Sequence, residues 1–311
     1  MERIVIPGRA TYTPVALTDV LAGTAGVRLL LGATVAGTVV QSAAFGYYAG
    51  SAARDYVARS RVRPIAFRDE FDADVDRLDE MPTDMRELEV QALSGLLNRD
   101  YTAARPTRAA LAQTINARLT AWIGGITGQE VVTSSEIRSF SFAKVLFPFA
   151  LGTCDVISGD VAIFQDLGIL EPHVIAHEFC HRKGYLKELH AQVIAYLALR
   201  TSDDPVLVQS ARAERLHRQL TVASGHDPDK FALLVDSAGL RPELRSTFAA
   251  LQPAKEAGES AVGKVMRTLY EQRMRLTGQN GLSDYDRGFT NFLWTFGRST
   301  AARHDRSAAA L

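Results

Sequence analysis

The stretch His177-Glu178-Phe179-Cys180-His181 constrains this chain more than any other feature of its sequence. On a helix, residues at i and i+4 face the same way with roughly 5–6 Å between their Cβ atoms, which suits two ligands of a tetrahedral Zn²⁺ site. Glu178 lies between the two histidines and can accept a proton from a water at that metal. The motif therefore predicts a helix, a zinc site and a general base together.

The residues before the motif favour a helix that follows a short strand. Pro172 suits the first turn of a helix, and residues 174–176 and 179–180 give that helix an apolar flank. The run Asp160-Val161-Ala162-Ile163-Phe164 reads as a short β-branched strand and precedes a loop that contains Gly168. We therefore predict an α+β fold that is mostly helical, with a small sheet next to the metal helix.

A third protein ligand has to come from beyond the motif. The run Glu188–Gln192 has the form Glu-x-x-Ala-Gln, which resembles the second metal helix of Glu-liganded zincins. In a continuous helix Glu188 would lie roughly 16 Å from His177 along the axis, too far to share a metal. Gly184 permits a turn as a left-handed helix C-cap, after which a second helix over about 186–200 can fold back.

Other side chains near the motif compete for the metal or support it. His190 lies two residues after Glu188 and points to a different face of the second helix, so only one of them can be a ligand. Glu188 is favoured and His190 is the alternative. His173 precedes His177 by four residues, but only the HExxH pair has the carboxylate in the order that the chemistry needs. Gln192, on the face of Glu188, can hydrogen-bond a metal ligand.

Motifs spread from residue 147 to residue 285 carry a family resemblance. They are Phe147-Pro148-Phe149, the HExxH, Gly184, the Glu188-x-x-Ala191 run, and the tail from Tyr270 through Gly278–Gly281 to Tyr285. They resemble the bacterial domain-of-unknown-function family 3810, which looks like zinc-dependent peptidases with N-terminal membrane segments. The resemblance implies a zincin-like fold, and it makes Tyr285 a candidate donor to the oxyanion of a tetrahedral intermediate. The chain departs from the family pattern at Arg182, His190 and Gln192, where Gln, Glu and Asn are expected.

Composition limits the classes of function. The 311 residues are 47% hydrophobic, enough for a large core, and 35 basic against 35 acidic residues leave no basic excess that would indicate a nucleic-acid partner. Cys154 and Cys180 are too few for a disulfide framework. His217 and His226 stand among polar residues, and we expect both to be exposed.

The uncharged run Leu29–Ala53 is long enough to span roughly 30 Å of hydrocarbon as a helix. It predicts a single membrane anchor within residues 1–63 and a location at the cell membrane, with an Ala/Gly-rich core helix as the alternative. Arginines flank the run on both sides, so the side of the membrane that the catalytic domain faces stays open. Residues 64–303 would form that domain and residues 304–311 a frayed tail.

The rest of the catalytic domain has helical periodicity. Apolar spacing predicts helices at about 83–98 and 107–123, and residues 131–165 have a β-type composition. From residue 186 to 303 the sequence is almost wholly helical in character, with breaks at 203–205, 225–228 and 278–281.

These features together predict a zinc-dependent metallopeptidase that acts on a peptide or protein substrate. Zn²⁺ held by His177, His181 and Glu188 would activate a water, and Glu178 would take its proton and pass it to the leaving amine. Two alternatives stay open. One is a non-catalytic, membrane-associated zincin-fold module for binding or assembly, and the other is a fortuitous HExxH in a helical membrane protein.

Membrane fractionation tests the predicted anchor. If residues 29–53 span the bilayer, the full chain will sediment with membranes and resist extraction by alkaline carbonate, because an inserted apolar helix resists that treatment. A chain that begins near Arg63 lacks the run and will stay in the supernatant. Full-length protein that behaves as a monomer in buffer without detergent would contradict the anchor.

Overall fold

The computed structural model describes residues 1–6, 24–26, 28–30, 34–138, 150–155, 158–253, 261–299 and 301. The strands are β1 (Glu2–Val5), β2 (Gln129–Val132), β3 (Gly152–Cys154) and β4 (Val161–Ile163). The helices are α1 (Val35–Arg59), α2 (Phe67–Phe71), α3 (Thr83–Arg99), α4 (Arg108–Thr127), α5 (Glu171–Arg182), α6 (Glu188–Arg200), α7 (Pro205–Ala223), α8 (Pro228–Ser237), α9 (Pro242–Ala250), α10 (Ala261–Leu276) and α11 (Arg287–Arg298). This mostly helical architecture with small sheets confirms the predicted α+β class. The Phe147-Pro148-Phe149 motif and the predicted tail 304–311 lie outside the described residues.

The chain divides into two units, each built from separate stretches of sequence. The first comprises residues 1–63, 107–166 and 174–186. The second comprises residues 64–106, 167–173 and 187–311.

Two short sheets belong to the first unit. β1 and β2 run parallel, with Glu2 opposite Gln129, and α4 packs on β2. β3 and β4 run antiparallel, with Gly152 opposite Ile163. All three residues of β4 are buried, as a run of β-branched and small apolar residues requires. The strand predicted before the HExxH helix is therefore confirmed.

Helix α6 is the most deeply buried helix of the second unit. Every residue from Leu189 to Leu199 except His190 is buried. A helix that is apolar on all sides has to be surrounded by other elements, and here α7 and α11 pack against α6 while α3 packs against α7. In this core the rings of Tyr196 and Phe289 meet edge to face at 5.5 Å between centroids.

Capping residues explain where several helices begin. The Thr107 side chain accepts the N–H of Ala110 at the start of α4. Asp204 and Asp227 cap α7 and α8 in the same way, and a proline follows each of them in the first turn. Helices α3 and α4 confirm the two predicted helices at these places, and the three predicted breaks fall between helices.

The predicted membrane segment has different bounds in the structure. Thr34 caps α1 by accepting the N–H of Gly37 at 3.2 Å, and the helix continues to Arg59, past the predicted end at Ala53. The extension contains Asp55, which is buried with Arg59, so the change from apolar to charged sequence does not end the helix. Among the residues that the structure describes, no helix combines the length and the apolar character that a membrane crossing requires. The location of the protein in the cell stays a prediction.

Candidate metal centre

The HExxH helix α5 ends in a turn that its sequence specifies. Gly184 has a φ of +105°, a region that glycine enters without the steric penalty of a Cβ atom. The N–H of Gly184 bonds to the carbonyl of His181, and the N–H of Tyr185 bonds to the carbonyl of Cys180, both at 3.0 Å. This pair of bonds is the Schellman pattern, which satisfies carbonyls left over at a helix end. The predicted turn at Gly184 is confirmed.

The two motif histidines are buried and face each other through their Nε2 atoms. These atoms are 3.1 Å apart, close to the roughly 3.3 Å that two nitrogens at 2.0–2.1 Å from a tetrahedral zinc would have. The Nδ1 atom of His181 lies 2.8 Å from the carbonyl oxygen of Tyr185. That contact favours a proton on Nδ1 and makes Nε2 the unprotonated nitrogen of His181, the form in which a histidine binds a metal.

The Glu178 carboxylate lies against the β3–β4 hairpin. A Cβ atom placed on Gly152 would be 3.1 Å from Glu178 Oε1 and 3.0 Å from Ile163 Cδ1. Real Cβ contacts are rarely this short, so a glycine at position 152 is what allows the carboxylate to approach the strand. Strand β3 therefore helps to place the proposed general base, a role that the sequence alone did not reveal.

Arg182 ties the end of α5 to the loops around the hairpin. Its guanidinium donates to the backbone carbonyls of Gly159 at 2.7 Å, Ser134 at 2.8 Å and Glu136 at 2.7 Å. Burial lowers the pKa of Arg182 to about 10, which still leaves it charged at neutral pH. The arginine that departs from the expected family pattern thus has a structural task.

The side chain of Lys183 also attaches the C-terminal end of α5 to its surroundings. Its side chain is fully buried, and Nζ donates to Val131 O and Thr120 Oγ1, both at 2.8 Å, and to Thr133 Oγ1 at 3.3 Å. Burial lowers the pKa of Lys183 to about 7. Three oxygen acceptors offset part of the cost of removing this ammonium group from water.

Glu188, the predicted third ligand, is the first residue of α6 and is buried. Its backbone N–H donates to the side-chain oxygen of Gln279 at 2.7 Å. Its Oε1 atom accepts the hydroxyl proton of Tyr270. An ionised carboxylate also suits this position because the N-terminus of a helix favours negative charge.

Tyr285 lies beside this group. Its hydroxyl oxygen is 3.1 Å from that of Tyr270. Burial raises the pKa of Tyr285 well above its ordinary value, and the nearby Glu188 carboxylate adds to the increase. The contacts of Tyr285 with Tyr270 and Glu188 place it near the predicted ligand, whereas its role as an oxyanion donor stays a prediction.

The three predicted ligands come together. His177, His181 and Glu188 each offer one ligand atom, and the three atoms lie within 4.8 Å of one another. Among the described residues, this is the group of histidine, cysteine and carboxylate side chains that could hold a metal ion.

The competing side chains have other partners. His190 stacks on the ring of Phe67, with 4.0 Å between centroids, and burial lowers its pKa to about 4. The amide of Gln192 donates to Glu214 Oε1 at 2.6 Å, and the hydrogen bond from Gln192 to a metal ligand stays a prediction.

Three histidines outside the motif also have defined surroundings. His173 is buried, with Nδ1 3.9 Å from Glu214 Oε2. His217 was expected to be exposed, but it is buried and a ring nitrogen lies 2.9 Å from the carbonyl oxygen of Leu251. His226 is largely exposed and pairs with Asp286. The polar residues next to His217 in sequence suggested exposure. The expectation is wrong because α7, on which His217 lies, is buried on more than one side.

Sequence reasoning missed Tyr270 and Gln279 as neighbours of Glu188. They are 82 and 91 residues away along the chain, so no local pattern links them to it. The family-like tail contains both residues, but the resemblance does not say which of them touch α6.

Comparison with known families gives one match. Residues 165–293 match the family described as "Protein of unknown function (DUF3810)". The DUF3810 match confirms the predicted resemblance from α5 into α11, including Tyr270, Gln279 and Tyr285. The description of DUF3810 names no activity. Comparisons with curated proteins and with solved structures give no match.

Replacing Gly152 with alanine tests the tight packing around this strand residue. The added methyl group would lie 3.0–3.1 Å from Ile163 Cδ1, the backbone oxygen of Ala162 and Glu178 Oε1, so we expect the Gly152→Ala variant to lose about 1–3 kcal/mol of unfolding free energy in urea titrations. Gly125→Ala is the matched control, because a Cβ at this position in α4 meets nothing within 4 Å. It should gain about 0.5–1 kcal/mol, since alanine is the better helix former. Equal stabilities of the two variants would refute the contact.

Proposed function

We propose that this protein is a zinc-dependent metallopeptidase with a zincin-like fold that hydrolyses peptide bonds. His177, His181 and Glu188 hold the metal, and Glu178 is the general base. The observation that carries the proposal is the clustering of the three ligand atoms within 4.8 Å, with Glu178 in the order that the HExxH chemistry requires.

The donor set fits zinc. Two imidazole nitrogens and one carboxylate oxygen are the protein ligands of many catalytic zinc sites, which keep a further position for water or substrate. All three side chains are buried. Metal coordination requires a lone pair from each imidazole, so both histidines would bind as neutral ligands, and a bound carboxylate would supply one negative charge. When bound, Zn²⁺ lowers the pKa of a water toward 7 and polarises the carbonyl that is attacked.

The residues of the chain perform the proton transfers. Glu178 removes a proton from the attacking water and delivers it to the nitrogen of the leaving amine. The hydrogen bond from His181 Nδ1 to Tyr185 holds that imidazole in the orientation that a ligand needs. Tyr285 is the proposed donor to the oxyanion, and its hydroxyl contacts both Tyr270 and Glu188.

Metal analysis combined with a peptidase assay tests the proposal. Wild type and Glu178→Gln should each contain one zinc per chain, because glutamine keeps the shape of a residue that is not a ligand. His177→Ala should lose the zinc, since it removes one of three protein ligands. Hydrolysis of an unfolded protein such as casein should fall by about 10²–10⁴-fold in Glu178→Gln, the usual contribution of a general base.

The outcomes separate the proposal from its alternatives. Wild type without stoichiometric metal would refute the zinc site and leave the motif fortuitous. Stoichiometric zinc that His177→Ala removes, with no hydrolysis of any unfolded protein, would favour the non-catalytic binding or assembly module. Circular dichroism of each variant confirms that the comparison is made between folded proteins.

A further inference from the structure

We propose that His226 is a positioning residue for Tyr285, because its imidazole holds the carboxylate of Asp286, the residue that joins the turn carrying Tyr285 to α11. The inference rests on the proposed role of Tyr285 as a donor in peptide hydrolysis. It adds a residue that lies outside the HExxH motif, the Glu-x-x-Ala run and the tail from Tyr270 to Tyr285. It also predicts that pH controls how firmly this turn is held.

Asp286 is the junction of two elements. The short 3₁₀ helix Gly281–Tyr285 ends just before it, and α11 begins directly after it. Its N–H bonds to the carbonyl of Ser283 at 3.3 Å, and its carbonyl accepts the N–H of Thr290 at 3.0 Å. Its side chain makes no capping bond to α11 and contacts other parts of the chain instead. Any movement of Asp286 would therefore be passed to Tyr285, its neighbour in the chain.

Two side chains hold the Asp286 carboxylate, one at each oxygen. Arg218 of α7 donates to Oδ1 at 2.8 Å, and His226 Nε2 lies 2.9 Å from Oδ2. Arg218 is itself fixed, because its Nε donates to the buried Glu214 at 2.6 Å. The side chains of Asp286 and Arg218 are 12% and 16% exposed, whereas that of His226 is 57% exposed. The imidazole is therefore the member of this group that is most open to solvent.

The backbone of His226 indicates that its side chain has a task. The N–H of Gly225 bonds to the carbonyl of Val222, and that of His226 bonds to the carbonyl of Thr221, both at 3.1 Å, in a Schellman pattern that ends α7. His226 has a φ of +63°, a region that glycine and asparagine enter more readily than histidine. An imidazole at such a position points to a function of the side chain, and its contact is Asp286.

The charges around His226 determine how pH acts on the contact. The hydrogen bond to Asp286 raises the pKa of the imidazole, and burial and the charges of Arg218 and Arg287 oppose that increase without reversing it. Burial disfavours ionised Asp286, but Arg218 and His226 outweigh it and lower the pKa of the carboxyl group. Between the two pKa values an imidazolium faces a carboxylate. The contact weakens as pH rises through the pKa of His226, which lies above the usual value of about 6.5.

Hydrogen exchange measured by mass spectrometry on the peptide 283–290 tests whether His226 holds this turn. The amide protons of Asp286 and Thr290 report on the junction. After correction for the intrinsic effect of pH, wild type should exchange roughly 3- to 10-fold faster at about pH 8.5 than at about pH 6, because a neutral imidazole loses the charge-assisted bond of a partly exposed pair. His226→Asn should exchange fast at both pH values. Asparagine suits the positive φ, so the variant keeps the backbone and removes the imidazole.

Glu243→Gln is the matched control for the exchange experiment. It removes the charge of another exposed pair in the same unit, in which Arg241 donates to Glu243 at 2.9 Å. Its exchange in the peptide 283–290 should equal that of wild type at both pH values. If wild type and His226→Asn exchange alike at both pH values, the inference is refuted whatever the activity of the two proteins.

A double-mutant cycle tests whether His226 acts through Tyr285. His226→Asn should lower kcat for casein roughly 2- to 5-fold at about pH 6 with little change in KM, since an oxyanion donor acts in the transition state. The loss should become smaller at about pH 8.5, where the wild-type imidazole is neutral. In a Tyr285→Phe background the same substitution should lower kcat no further, because the hydroxyl that it positions is gone.

The outcomes separate this inference from the proposed function. Wild type that does not hydrolyse casein, with exchange as expected, refutes the peptidase function and supports the holding of the turn by His226. Hydrolysis by wild type, with equal losses from His226→Asn in both backgrounds, refutes the positioning role alone. If circular dichroism shows that Tyr285→Phe does not fold, the pH profile decides: a loss of kcat in His226→Asn that is the same at both pH values refutes the positioning role, and one that shrinks at the higher pH supports it.

Discussion

The turn between α5 and α6 is the constraint on which the candidate site depends. If the helix continued, 11 residues would separate His177 from Glu188 by roughly 16 Å along its axis, and no single ion could bind both. Gly184 ends the helix because it adopts a positive φ. In the turn that follows, the N–H of Tyr185 donates to the carbonyl of Cys180. The carbonyl of the same tyrosine receives the Nδ1 proton of His181. One turn therefore ends the helix and orients a ligand.

The buried side chains of Arg182 and Lys183 hold the C-terminal end of α5 against neighbouring strands and loops. Arg182 and Lys183 place a guanidinium and an ammonium group in the interior, where an unpartnered charge would cost several kcal/mol. Carbonyl and hydroxyl oxygens surround both groups instead, and their hydrogen bonds offset part of this cost. The backbone segments that supply those oxygens are thereby fixed relative to α5. Rigid support of this kind is what a site needs if its side chains must stay within tenths of an ångström.

How much the sequence predicts depends on how far apart the interacting residues are along the chain. The HExxH helix, the Gly184 turn, strand β4 and the capped helices follow from patterns a few residues long, and all of them are found. The partners of Glu188 lie 82 and 91 residues away, and no periodicity or cap connects such positions. His217 was misplaced for a related reason, since the side chains that meet it belong to other helices. Burial on a second helix face cannot be deduced from polar neighbours in sequence.

The choice between Glu188 and His190 depends on tertiary contacts that their spacing in sequence does not contain. Residues two apart on a helix point about 200° apart, so one of them must turn away from any group that the other faces. His190 lies against the Phe67 ring, and its low pKa keeps the imidazole neutral in that apolar contact. Glu188 occupies the first position of α6, where the helix dipole and the Tyr270 hydroxyl both favour an ionised carboxylate. Two neutral imidazoles would leave both charges of a divalent cation uncompensated in the interior. An anionic third ligand would reduce that net charge. The helix terminus and the proposed metal site therefore both favour Glu188 as the third ligand.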